Sequence, residues 1–271
     1  MGIARNRSVV CRFVLLATLC MGWSATLAAA DFTSSLGFAH FSYEERAESR
    51  QVLNSERGVT PGIRGELRQK VLDDVLLSIS LQYFASDIRY RGRTQAGADL
   101  RTRSDLRLTL LDLSLSGIGF DTGWAVIKPR VAAGFRRWQR DIHPTRSTLA
   151  LKEGYQWLEA GLGIAACRGF DWDGGLTGCL ESWALYSMEG RVKVNLSRFG
   201  AGKPSLRLGS EPGAMIQASV ETGPVALRVF GHFWQFGASE SKTVDRVTGR
   251  LVVTEPASHT WLTGIELGYR F

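Results

Sequence analysis

Trp261-Leu262-Thr263-Gly264-Ile265-Glu266-Leu267-Gly268-Tyr269-Arg270-Phe271 closes the chain, and it alternates. In an extended strand successive side chains point to opposite faces. Trp261, Thr263, Ile265, Leu267, Tyr269 and Phe271 therefore share one face, and Gly264, Glu266, Gly268 and Arg270 share the other. The first face carries an aromatic at each end. A strand that crosses a bilayer needs this arrangement, with rings at the two interfaces and aliphatic side chains between them.

The same alternation recurs upstream. Leu77, Ile79, Leu81 and Tyr83 oppose Ser78, Ser80 and Gln82; Ile63, Gly65 and Leu67 oppose Arg64, Glu66, Arg68 and Lys70; Ile216, Ala218 and Val220 oppose Gln217, Ser219 and Glu221. Ten such segments are predicted, near 33–45, 62–72, 75–90, 100–116, 124–140, 153–167, 177–193, 214–222, 225–240 and 257–271. The fourth changes phase: Leu106, Leu108 and Leu110 lie on one face, then Leu111, Leu113 and Leu115 on the other. A β-bulge between Leu110 and Leu111 is predicted to keep both sets facing outward. The first, seventh and ninth segments carry aromatics on both faces and leave their orientation open.

Connections alternate in length. Short ones are predicted at Asp73-Asp74, 116–123, 168–175 and 222–224, and longer polar ones at 46–61, 91–99, 141–152, 194–213 and 241–256. Short turns at one end and long loops at the other are the pattern of membrane barrels. The expectation is all-β: one closed antiparallel transmembrane β-barrel over residues 31–271 with about ten strands, or eight or twelve if a hairpin is split or merged. A soluble β-sandwich would also alternate. It would not need aromatics at both ends of its last strand or so regular an alternation of connections.

A terminal strand ending in Phe resembles that of the Gram-negative outer-membrane β-barrel proteins. The resemblance implies residence in the bacterial outer membrane with both termini in the periplasm, contact with membrane lipid and lipopolysaccharide, and insertion by the barrel-assembly machinery acting on Ile265, Leu267, Tyr269 and Phe271. The N-terminus agrees. Arg5, Arg7 and Arg12 precede an apolar run from Phe13 to about Trp23, and Ala28 and Ala30 take small-residue cleavage positions. Residues 1–30 read as a cleaved secretory signal, too short in its apolar core to span a bilayer. Leu19 precedes Cys20 where a lipoprotein signal needs a small residue.

Composition limits function. The formal charge is +7, and three of those arginines lie in the leader, so the remainder is only mildly basic and gives no footprint for nucleic acid. Cys167 and Cys179 flank a turn-rich segment, where a disulfide is an expectation in an oxidising periplasm. No histidine pair sits near them, and no metal site or cofactor is predicted.

With the greasy face outward, the lumen is expected to receive Arg64, Glu66, Arg68, Lys70, Asp105, Arg107, Asp112, Arg130, Arg136, Glu159, Glu221 and Glu266. Two readings follow: an interior ion-pair network that fills the barrel, or a narrow charge-lined channel. About eight strands give a filled interior and about sixteen an aqueous one, so the filled reading is preferred. Arg89, Arg91 and Arg93 fall at the long-loop end, where guanidinium groups suit lipopolysaccharide phosphates.

In length and strand count the chain is similar to the omptin proteases, whose chemistry implies an acidic pair facing an Asp–x–His pair. Asp141-Ile-His143 and Asp171-Trp-Asp173 are the available motifs, in reversed order and at opposite ends of the predicted barrel, so no catalytic residue is assigned. A lipid A esterase would need His and Ser on one face, whereas Ser258 and His259 are adjacent. His259 beside Trp261, and His232 beside Trp234, read as interfacial anchors. Gly161-Leu-Gly163-Ile-Ala-Ala166 matches a dinucleotide fingerprint only on paper, since it lies within an alternating segment. The expected role is non-enzymatic, structural or interaction-bearing through the outer loops. A channel and a hydrolase are the alternatives.

Overall fold

The computed structural model describes residues 30–93, 98–146, 148–170, 175–246 and 249–271. Residues 1–29 of the leader, and Asp171 and Asp173, lie outside them. Ten strands form the wall: β1 Ala30–Arg46, β2 Val52–Leu72, β3 Val75–Arg93, β4 Asp99–Ser116, β5 Val126–Ile142, β6 Leu151–Phe170, β7 Leu176–Asn195, β8 Pro212–Thr222, β9 Val225–Gly237 and β10 Ala257–Arg270. Each pairs antiparallel with its neighbours, and β1 pairs with β10 from Thr33↔Arg270 to Arg46↔Ala257. The sheet is closed, so no main-chain edge is left for lipid, which cannot hydrogen-bond it.

Most strands outrun the bilayer. A spanning strand needs about 9–11 residues, whereas β2 has 21, and β6 and β7 have 20 each. The extra length stands at the loop end. The first loop, expected over 46–61, turns within 47–51 because β2 begins at Val52.

Each tall strand therefore has two zones. In the lower zone the outward rows are apolar, as in Leu81–Leu111–Phe135–Leu158 across β3 to β6. Two rows higher stands Ala85–Arg107–Gln139–Gly154, then Asp87–Asp105–Asp141–Lys152. Inward side chains invert in step. On β1 they run Thr33, Ser35, Gly37 and Ala39, then Phe41 and Tyr43. Where lipid surrounds the wall, the polar face is inside. Where water surrounds it, the apolar face is inside.

This inversion corrects the predicted bulge. The β3–β4 register is unbroken from Leu76↔Ser116 to Arg93↔Asp99. Leu106, Leu108 and Leu110 point inward and are buried, while Leu111, Leu113 and Leu115 face outward. The phase change marks the level of the membrane surface rather than an inserted residue. A register shift does occur in β6–β7, between Gln156 and Leu158, close to Glu189 at φ 51°. It passes the inward face of β7 from Ser187 to Gly190 and Val192.

Candidate functional site: the two halves of the lumen

The upper lumen is a packed aromatic plug. Trp138 meets Tyr43, Tyr155 and Phe41 with ring centroids 4.7, 4.5 and 5.4 Å away. Trp157 meets Phe236 and Trp234 at 5.1 and 5.7 Å. All seven rings are buried, along with Leu106, Leu108 and Leu262. These side chains converge because β1, β5, β6 and β9 each turn their inward face apolar at the same height.

One guanidinium sits inside the plug. Arg140 lies 5.0, 5.4 and 5.5 Å from the Tyr43, Trp138 and Tyr155 rings. It pairs with Glu45 at 2.8 Å, with Glu153, and with Glu56 at 3.7 Å. Glu255, from the segment between β10 and a two-stranded loop hairpin (Lys242–Arg246 with Gly249–Val253), closes the cluster from above. Its carboxyl lies 2.5 Å from the Tyr155 hydroxyl and 3.3 Å from that of Tyr43. Its backbone is tied to Ser239, whose hydroxyl accepts the Glu255 N–H at 2.8 Å. Burial, with Glu45 and Glu153 nearby, holds the Glu255 carboxyl well above the usual carboxylate range.

The lower lumen is a chamber of about 240 Å³. Ion pairs cross its wall: Arg68 with Glu66 and Glu221 at 3.1 and 2.9 Å, Arg64 with Glu66 at 3.1 Å, Arg136 with Glu159 at 2.8 Å and with Asp112, and Arg130 with Glu181. Arg228 reaches Glu266 at 3.3 Å, and Gln82 also hydrogen-bonds Glu266. Exposure rises toward the turn end, where the Arg68 and Glu221 side chains are 31% and 25% accessible against 2% for Glu159. Cys167 and Cys179 are directly opposite in β6–β7 and disulfide-bonded beside this chamber.

Of the side chains predicted for the lumen, ten stand on the inward face, with Lys70 at the exposed mouth. Asp105 and Arg107 do not. They share the outward face of β4 with Leu111, above the apolar belt, because the strand alternates without a break. His232 also departs from expectation: it is buried inside, 3.4 Å from Glu159 and edge-on to Trp234 at 4.7 Å. The outward Leu227 and Val229 set that phase. His259 does face outward with Trp261, 3.3 Å from Glu44. Ile265, Leu267, Tyr269 and Phe271 form an exposed stripe, and Phe271 stacks on Phe32 at 6.0 Å.

Outside, above the belt, Arg57, Arg89 and Arg103 are cross-strand neighbours on β2, β3 and β4, and Arg91 faces Arg101 one row higher. Arg57 pairs with Glu44 and Arg103 with Asp87, while Arg93 reaches Asp99 at 3.7 Å. Among the described residues Arg89, Arg91 and Arg101 make no ion pair. Asp87, Asp105 and His143 bring one potential metal ligand each within 4.8 Å of one another on this wall. Two contacts there are already made, Arg103 to Asp87 and His143 to Asp105 at 3.1 Å. Asp141 is held at 2.6 Å by Lys152.

A closed ten-stranded wall, apolar outside below and inside above, defines the class: this is the fold of the outer-membrane β-barrels, in the omptin-like form. No family model and no curated protein sequence matches the chain. Among solved structures it is similar to the outer membrane protease OmpT from Escherichia coli, at 10% identity, covering 89% of this chain and 96% of that one, with a TM-score of 0.55. The transport unit of the autotransporter AIDA-I from Escherichia coli aligns at 9% identity over 98% of both chains, with a TM-score of 0.44. The translocator domain of NalP from Neisseria meningitidis aligns at 10% identity over 97% and 96%, with a TM-score of 0.42. Likeness at such identity speaks for the fold and leaves the chemistry to the residues.

Proposed function

We propose that the chain is an integral protein of the bacterial outer membrane, exported by its leader and inserted through its terminal strand. Its turn end and both termini face the periplasm. It is closed to solute flow and has a structural or interaction role carried by its outer wall and loops, where arginines engage lipopolysaccharide phosphates. The observation that carries this reading is the aromatic plug, which occupies the upper lumen where a channel would need water. A charge-lined lower lumen alone would also suit a conduit. The plug argues against one, because its inward face offers rings rather than a hydrated path.

The Arg57–Arg89–Arg103 row lies three rows above Tyr83, at the height of lipid headgroups. Among the described residues Arg89 and Arg91 pair with no carboxylate, so their guanidinium groups are left to meet a phosphate. A hydrolytic role has less support: Asp141 and His143 face outward from β5, and Phe170 and Gly175, which flank the second acidic motif, lie at the opposite end.

The test uses the purified barrel. Wild type reconstituted in planar bilayers should give no conductance steps and should retain lipopolysaccharide through purification. Replacing Arg89, Arg91 and Arg101 together with Gln should lower that retention several-fold while the barrel stays folded. Steady conductance, or unchanged retention in the triple variant, contradicts the reading.

A further inference from the structure

The lower chamber has features that an ion-paired filling does not require. Its inner end is apolar, formed by Leu110, Leu185, Met215, Phe230 and Leu262. Gly134 and Gly161 stand in its wall, where larger side chains would take up space. Below this end, three N–H donors lack a hydrogen-bond partner among the described residues: Arg130 Nε, Arg228 Nε and Trp183 Nε1. Trp183 is 6% exposed. The Arg130 guanidinium lies 5.2 Å over its ring, so two of the three donors belong to one patch of wall. Arg130 uses its Nη atoms on Glu181 and Ser114, and Arg228 uses Nη1 on Glu266. Their Nε edges are left over.

A buried donor left without an acceptor is destabilising. Among the described residues the unsatisfied acceptor of the chamber, Glu266 Oε2, already sits in an ion pair with Arg228 at 3.3 Å, and His232 Nε2 lies 3.4 Å from a Glu159 oxygen. The imbalance therefore favours a ligand that accepts hydrogen bonds and carries negative charge. The volume of about 240 Å³ falls just below the ~300–1,000 Å³ of ordinary small-molecule pockets, which suits a ligand about the size of one substituted ring.

We propose that the chamber binds a small amphipathic anion, a carboxylate on an aromatic or short branched apolar body. It enters from the turn end, places its apolar body against Leu110, Met215 and Leu262, and offers its carboxylate to Trp183 and the two arginines.

Methionine supplies the readout. Met215 lines the chamber, whereas Met188 lies outside it, in the upper wall of β7. The full chain is labelled with methyl-13C-methionine in detergent micelles and titrated with benzoate, benzyl alcohol or benzylammonium. Benzoate should shift the Met215 signal saturably and leave Met188 unmoved, with benzylammonium giving no saturable shift. Trp183→Phe, which keeps an aromatic ring and removes the N–H, should weaken benzoate about 3–10-fold, the worth of one hydrogen bond. Equal responses to all three compounds mean partition of the ring alone, and no response means the donors are met by water; either overturns the proposal. So does undiminished benzoate affinity in Trp183→Phe. If that variant fails to fold, the benzoate–benzylammonium contrast in wild type decides.

Discussion

Arg140 concentrates the unusual electrostatics of the molecule. It is fully buried in the plug, ringed by three aromatics and by Glu45, Glu56 and Glu153. Removing one partner of a buried pair leaves the others desolvated and uncompensated, a loss of about 3–5 kcal/mol. Arg140→Met should lower the unfolding free energy of the barrel, read from urea titration, by that amount. The triple change Arg140→Met, Glu45→Gln, Glu153→Gln should recover a large part of the loss, because it removes the stranded charges. Equal instability of the single and triple variants would show that the aromatic packing, not the ion cluster, depends on Arg140. The residue escapes a sequence reading for a physical reason. At position 140 an arginine following Trp138 and Arg136 looks like rim decoration, and only the partners from β1, β2 and β6 reveal an interior.

The strands and their connections show what alternation can and cannot reveal. β8 and β10 are legible because their apolar faces run over most of their length, and β3 over its lower half, from Leu77 to Tyr83. At Leu110 in β4 the rule of apolar side chains outward fails, because it holds only up to the level where lipid ends. Aromatics on both faces of the first and ninth segments were the available signal: Phe38 faces out and Phe41 in, Phe233 out and Trp234 in. The disulfide was legible since Cys167 and Cys179 flank one hairpin, whereas Glu255 was not, lying in a loop whose docking depends on distant Tyr43 and Tyr155. That loop has its own pH dependence. The folded-state pKa of Glu255 is raised, so its contribution to stability is complete below the unfolded carboxyl value of ~4.3 and is lost as pH rises through the folded one. Amide exchange at Ser239 and Glu255 should therefore speed up, beyond its intrinsic increase, when pH is raised from about 5 to 8. Glu255→Gln keeps the hydrogen-bonding shape without the charge and should flatten that dependence. A wild-type profile that matches Glu255→Gln would place the titration elsewhere.

At the scale of the whole molecule, the wall is a single sheet whose two faces exchange solvents part-way up. From Trp261 to Phe271 there are ten residue steps. At about 3.3 Å per step and a tilt near 40°, they rise ~25 Å, the height of an outer-membrane apolar band. Phe32, Phe170, Tyr269 and Phe271 are exposed toward the turn end, and Tyr83, Phe135, Tyr186 and Trp261 toward the loop end. β4 crosses the upper boundary between Leu111 and Thr109, so arginine placed along it should report the boundary directly. Leu113→Arg, on the outward face within the band, should cost about 2–4 kcal/mol of folding free energy in lipid vesicles. Thr109→Arg, also outward but beside Arg137 at the boundary, should cost ~0–1 kcal/mol. Leu108→Arg buries a lone cation in the plug and should be as damaging as Leu113→Arg, but in detergent as well as in lipid, since its environment is protein. The contrast between the two leucines separates the solvents. If Leu108→Arg were tolerated while Thr109→Arg was not, lipid would reach higher on the wall than the inverted pattern allows, and the upper half would have to be a membrane segment with its faces reversed.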